Sequence, residues 1–318
     1  MARRFPLTLS ALGLLAWAIA PATISAPSAG PFPLPIVIWH GMGDSCCSPM
    51  GIGHIADNLR KYLGVYVYSI ATGDGRDADV RSSYIGNIND QVAKVCNDLK
   101  EIPELQNGFN AVGFSQGGQF LRAVLQRCQH TGPRMHKLVT LGSQHEGVQN
   151  MPGCIVHTAG CKNIQKWLTH NAYRPEVQEK WIQAQFLKDP YRKAEYLNSS
   201  IFLADINNER EEKNEQYRLN LASLEKLVLF RFTYDIVVVP RDSSWFSFFD
   251  GTALIPMPEL ALFKEDWIGL KELYDRGDLI FGDCPTGHMT FTWDWFKTNV
   301  ADEYLAANPA LEEWADAV

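Results

Sequence analysis

The stretch AVGFSQGGQF holds the spacing Gly113-x-Ser115-x-Gly117. A serine hydroxyl is a weak nucleophile by itself. It attacks a carbonyl when a base, most often histidine, takes its proton and a carboxylate orients that base. The spacing carries this meaning when a strand runs into it and a helix leaves it. Side chains at the two glycines would then clash, and the hydroxyl stands clear of the sheet at a helix N-terminus, where N–H groups favour developing negative charge. The acid and the histidine then follow in chain order. His288, in CPTGHMTF, is the one histidine after residue 170 and is the candidate base. Asp235, in FRFTYDIVVVP, stands just past an apolar run and is preferred as the acid over Asp242, Asp250 and Asp283. Asp283 precedes His288 by only five residues and is expected on the same loop, a poor platform for an independent partner.

An oxyanion forming at the attacked carbonyl needs two N–H donors. The residue after the nucleophile, Gln116, supplies one. Met42, in IVIWHGMGDS, is the candidate for the other, because the flanking glycines let the backbone approach closely. His40 is read as a locally bonded residue holding that loop. His145, in GSQHEGV, is read as a support of the site rather than its base.

The elements that must position these residues are legible as alternation. PIVIW (35–39), GVYVYSI (64–70), FNAVGF (109–114) and KLVTLG (137–142) are nearly continuous in apolarity, as strands buried on both faces of a parallel sheet are. Helical patterns at 51–63, 82–100 and 118–128 lie between them, with Leu121, Val124, Leu125 and Cys128 on one face. The class is therefore α/β, a mostly parallel central sheet flanked by helices. From about 146 to 225 the chain turns to polar helix with scattered Met151, Trp167, Leu168, Trp181, Ile182 and Phe186, read as an insertion into the sheet domain. Strand character returns at KLVLFRF (226–232) and DLIF (278–281), and a closing helix is expected over 291–307.

The whole chain sets the setting. Its 318 residues are 46% hydrophobic and 20% charged, with a net charge of -7 and no basic run beyond Arg3-Arg4, which excludes a nucleic-acid partner. Residues 1–26 read as a signal peptide: two arginines, an apolar stretch from Leu7 to Ala20, then small residues with a cleavage site at Ala20-Pro21-Ala22 or nearer Ala26. The stretch is shorter than the roughly 20 residues a membrane anchor needs. The mature chain, 27–318, is thus expected in the secretory pathway, as one domain with no transmembrane segment. There, the seven cysteines favour disulfides. No CxxC pair or Cys-His cluster suggests zinc, and neither a metal nor a cofactor is expected. Asn198, in NSS, is the one glycosylation sequon.

HGMGDSCC, GFSQGGQFLRAV, GSQHEGV and WFKTNV together resemble the lysosomal palmitoyl-protein thioesterases, over about residues 33 to 305. The resemblance implies an α/β-hydrolase that removes long fatty acyl groups from cysteine thioesters of proteins, in a lysosome or vacuole, with secretion as the alternative. It implies Ser115 as nucleophile, Asp235 as acid, His288 as base, and Met42 and Gln116 as oxyanion donors. It also implies a vicinal Cys46–Cys47 disulfide. Gly287 departs from the family's pattern, which has an acidic residue before the histidine. Such a substrate gives the insertion a purpose. Burying a sixteen-carbon chain contributes on the order of 10 kcal/mol gross, at about 0.8 per methylene, and needs an apolar groove. The apolar residues of 146–225 could line it or form the insertion's own core. Cys96 and Cys128, on helices flanking the Ser115 strand, are placed to staple them. Cys154 and Cys161 are close enough to close a small loop, leaving Cys284 as the odd thiol. The rival readings are a secreted lipase or carboxylic ester hydrolase, and an inactive lipid-binding protein on the same fold. The intact triad argues against the latter.

Overall fold

A computed structural model describes residues 33–149 and 159–306. The expected signal segment, the Cys154–Cys161 pairing and Met151 lie outside the described residues. The first half runs β1 (Ile36–Trp39), α1 (Ile52–Leu63), β2 (Val67–Ser69), α2 (Arg76–Ser82), α3 (Ile88–Glu101), β3 (Phe109–Phe114), α4 (Gln116–Cys128) and β4 (Met135–Leu141). Six helices follow: α5 (Ala159–Asn171), α6 (Pro175–Gln178), α7 (Ile182–Gln185), α8 (Lys193–Ser199), α9 (Leu203–Ile206) and α10 (Glu215–Ala222). The chain then returns to the sheet as β5 (Lys226–Phe232). A two-residue ribbon, β6 (Phe248–Phe249) and β7 (Leu254–Ile255), precedes α11 (Ala261–Lys264), α12 (Leu270–Asp275) and the last strand, β8 (Leu279–Cys284).

The six long-range strands form one parallel sheet in the order β2-β1-β3-β4-β5-β8. Its apolar runs are continuous because both faces are covered. Val37, Ala111, Leu138 and Leu227 join the core beneath α3, α4 and the helical segment, while their neighbours Ile36, Val112, Val139 and Val228 join the core beneath α1 and the C-terminal helix. Alternate side chains of one strand thus serve two different cores. Cys96 on α3 and Cys128 on α4 are joined in a disulfide with Cα atoms 5.9 Å apart, tying together two helices that cover β3. A loop of that length is worth about 3–4 kcal/mol by chain entropy.

Three elements differ from the sequence reading. Within the helix expected over 82–100 only α3, from Ile88, forms: α2 already ends at Ser82, the chain turns through Gly86, whose φ is 153°, and Asn87 caps α3, its side chain accepting the Asn89 N–H at 2.9 Å. The strand expected to end at 281 runs to Cys284, with Asp283 in register against Arg231. The closing helix opens as α13 (Trp293–Phe296), capped by Thr292, and widens to π-helical turns over Lys297–Leu305.

Candidate active site

The sharp turn between β3 and α4 forms for a backbone reason. Ser115 holds φ 52° and ψ -125°, outside the regions an ordinary residue prefers. Its N–H is tied to Leu141 O at 2.8 Å, so the neighbouring strand pins it. The flanking glycines are required by space. A Cβ on Gly113 would sit 2.1 Å from Gly118 Cα, and one on Gly117 would sit 2.3 Å from Trp39 O. The turn therefore packs directly on the end of β1, which leads into the Met42 loop.

Three side chains separated widely in sequence meet there. His288 Nε2 lies 3.0 Å from Ser115 Oγ, and His288 Nδ1 lies 2.7 Å from Asp235 Oδ2. The Asp235 side chain is 1% exposed and that of His288 13%. The second Asp235 oxygen accepts the N–H groups of Val237 and Val238, at 2.8 and 3.0 Å. The acid is thus fixed at the end of β5 by its own turn, and the histidine sits in the loop after β8. Asp242 and Asp283 face elsewhere, both on Arg231, the latter at 3.0 Å. Asp283 lies on β8 rather than in the histidine's loop, which corrects the sequence reading. Asp250 caps its own turn, accepting from Thr252 and Ala253 N–H.

Met42 and Gln116 line the same cavity as Ser115 and His288. Among the described residues neither N–H finds an acceptor: Gln116 opens α4, where N–H groups are left unpaired, and Met42 lies in a turn. The cavity, of about 280 Å³, has Val148, Phe186, Val237, Val238 and Met289 as its apolar wall. Of the scattered apolar residues of the helical segment, Phe186 lines the cavity, whereas Leu168 and Ile182 belong to the core and Trp167 is half exposed. An activated hydroxyl, two open N–H donors and an apolar wall can together attack an acyl carbonyl whose chain is hydrocarbon.

The Met42 loop is anchored by a residue that sequence reasoning missed. Asp79, fully buried on α2, accepts Cys46 N–H at 2.8 Å and Thr72 N–H at 2.7 Å, and pairs with His40 Nε2 at 3.2 Å. His40 Nδ1 lies 2.9 Å from Gly41 O, as the local role expected of it requires. Cys46 and Cys47 are joined to each other in this loop. Nothing in RDADVRS marks Asp79 among its polar neighbours, and its complete burial is the signal. Burial opposes charge on both partners, yet each outweighs it for the other: His40 is raised and Asp79 lowered from their usual ranges. The stability from the raised histidine is fully present below its unfolded value near 6.5 and is lost as pH rises through its folded value. That from the lowered aspartate is present above its unfolded value near 3.8 and is lost as pH falls through its folded value. Asp79→Asn is therefore expected to cost about 3 kcal/mol or more near pH 5, as breaking a buried pair does. The gap to the parent should narrow by pH 8. Urea unfolding at both pH values checks this, and a gap that widens at pH 8 contradicts it.

His145 is fully buried, stacked on Phe246 at 4.6 Å, and 3.1 Å from Thr140 Oγ1 through Nε2. Burial pushes it well below the usual imidazole range, so it stays neutral, and its ring meets Thr140 and Phe246. Its neighbours clamp the loop after β4 to the helical segment. Arg122 donates to His145 O and to Asn207 Oδ1, and Lys188 bridges Glu146 and Glu209. Burial lifts the Glu146 carboxyl to about 7 despite Lys188. Asn198 is exposed on α8.

The profile of the palmitoyl protein thioesterase family matches residues 35–288. The chain is 43% identical over 276 residues to Palmitoyl-protein thioesterase 1 of Caenorhabditis elegans, covering 86% of this chain and 92% of that protein. It is 32% identical over 259 residues to Palmitoyl-protein thioesterase 3 of Dictyostelium discoideum, covering 80% and 84%. It is 29% identical over 272 residues to Lysosomal thioesterase PPT2 of Mus musculus, covering 81% and 82%.

Proposed function

The chain belongs to the palmitoyl protein thioesterase family and is a thioester-hydrolysing serine hydrolase, and from that premise we propose that it frees cysteine side chains of proteins from long-chain acyl groups through an acyl-enzyme on Ser115. The observation that carries the reading is the relay Ser115–His288–Asp235 opening onto an apolar cavity. Ser115 Oγ attacks the thioester carbonyl as His288 Nε2 takes its proton. Asp235 holds Nδ1–H and steadies the imidazolium. The N–H groups of Met42 and Gln116 receive the oxyanion. The C–S bond breaks, His288 returns the proton to the cysteine sulfur, and the acyl group remains on Ser115. Water, deprotonated by His288, then releases the fatty acid and restores the serine. Cysteine thiols have a pKa near 8.5, so sulfur leaves far more readily than an alkoxide would.

The working place we propose is an acidic lysosomal lumen. What supports it is the secretory signal expected at 1–26, the disulfides, and a relative whose name carries the lysosome. Matched palmitoyl substrates test the chemistry. The purified protein should cleave a palmitoyl thioester at least about 10-fold faster than the corresponding oxygen ester, a difference of about 1.4 kcal/mol in barrier. Faster cleavage of the oxygen ester would make it a lipase or esterase instead. Failure to label with a fluorophosphonate would leave only a lipid binder.

A further inference from the structure

The turn that carries Asp235 has a second apolar face. Ile236 is 85% exposed, Tyr234 70% and Val239 38%, all within six residues. Exposed apolar side chains scattered singly need no explanation, but a cluster beside a binding site does. This cluster is not a loose loop. Val237 and Val238 donate to Asp235, Tyr234 N–H donates to Thr286 O at 3.1 Å, and Val239 O accepts Gln149 N–H at 2.9 Å. The turn is rigid, and it holds these side chains in water.

One turn therefore points two ways. Val237 and Val238 line the cavity, while Ile236, between Asp235 and Val237, stands out into solvent. The apolar exterior and part of the apolar wall thus belong to the same turn. Arg241, a few residues on, is exposed; its guanidinium donates to Thr233 O and, among the described residues, pairs with no carboxylate. A peptide partner would ask for a groove or a free strand edge. A side chain at 85% exposure stands proud of its surroundings instead.

We propose that the turn 234–239 seats the enzyme on a lipid bilayer, with Ile236 and Val239 in the acyl boundary, Tyr234 at headgroup level and Arg241 on lipid phosphates. Tyrosine suits that depth because one end of its ring is apolar and the other wet. The net charge of -7 gives the chain no general attraction to an anionic surface, so adhesion falls to this local patch. Seated so, the cavity opens toward the phase in which protein-bound acyl chains lie. The chain passes from bilayer to Val237 and Val238 without crossing water. The proposal rests on the acyl-thioesterase reading of the site.

The test is cosedimentation of the full mature protein with phosphatidylcholine vesicles containing a minor fraction of phosphatidylglycerol. Ser115→Ala serves as the parent for binding, so turnover does not consume the system. The double variant Tyr234→Ser/Ile236→Gln is neutral, which avoids setting a charge beside Asp235. It should lose binding by about 10-fold or more, in line with interfacial affinity that scales with buried apolar area. In the active background, kcat/KM on a vesicle-embedded palmitoyl peptide should fall about as far, while a water-soluble short-acyl thioester should be cleaved within about 2-fold of the parent rate. Undiminished sedimentation of the variant overturns the proposal. An equal loss on the soluble thioester overturns it too, because the turn would then act through the cavity. A parent oligomer that the variant dissociates would make the patch a copy-to-copy interface and likewise overturn it. If the protein with Ser115 intact cleaves no thioester while the Ser115→Ala parent still sediments, the enzymatic reading fails while the membrane seat stands.

Discussion

Ser115→Ala yields a folded protein whose thioester turnover is lower by roughly 10⁴–10⁶-fold, as removal of a triad nucleophile is elsewhere. The fold should persist because the contact that pins this turn, Ser115 N–H to Leu141 O, is backbone and survives the substitution. Alanine keeps the Cβ and loses only the hydroxyl facing His288. The positive φ is no harder for alanine than for serine in kind, so the melting temperature should move by a few degrees at most. Turnover of a palmitoyl thioester and the melting temperature are measured on the same preparation. A folded variant that keeps more than about a tenth of parent activity removes Ser115 from the nucleophile's role.

Asp235→Asn is expected to lower kcat by roughly 10⁴-fold, following the precedent of a triad aspartate. The amide can still accept from Val237 and Val238 through its carbonyl oxygen, so the turn should hold. What changes is the group facing His288 Nδ1. An NH₂ there demands an acceptor nitrogen, which places the imidazole proton on Nε2 and leaves the Ser115 hydroxyl without a base. Asp242→Asn and Asp283→Asn provide the control. Each weakens a pairing with Arg231 away from the cavity, and kcat should change by less than about 10-fold. A larger loss from either than from Asp235→Asn would assign the acid wrongly.

The nucleophile turn was legible because it is local. A continuous apolar strand, two glycines with no room for a Cβ and an apolar-faced helix all lie within 20 residues, Phe109 to Cys128. Asp235 and His288 were legible through chain order and through their position past strand ends. The misreadings share a cause: residues that look like breakers can be demanded by packing. Gly282 and Asp283 seem to end a strand, yet a Cβ at Gly282 would lie 2.4 Å from the Phe230 ring across the ladder. The glycine is there to admit that ring, and the strand continues. In the opposite sense, the helical pattern of 82–100 runs across Gly86-Asn87, yet the helix begins only after them, at Ile88. Asp79 could not be found at all, because its partners lie at His40, Cys46 and Thr72 and only the folded chain brings them to it. The turn 234–239 reads as strand-like apolar sequence, and nothing in its letters separates Val237 and Val238, which face inward, from Ile236, which faces out.

The sheet order has a consequence in time. Ser115 and His288 are separated by 173 residues, and the histidine hangs from β8, the edge strand that docks on β5. At a synthesis rate of roughly 5–20 residues per second, a growing chain carries the nucleophile for about 9–35 s before its base has been made. During that interval β2, β1, β3 and β4 can already pair, and Cys96 and Cys128 are both available to join. The hydrolase is therefore inert until β8 and His288 have been made and docked. A chain that stops short of His288 can hold a well-formed serine turn and cleave nothing, so reactivity itself reports that the chain has been made through His288 and the last strand is home.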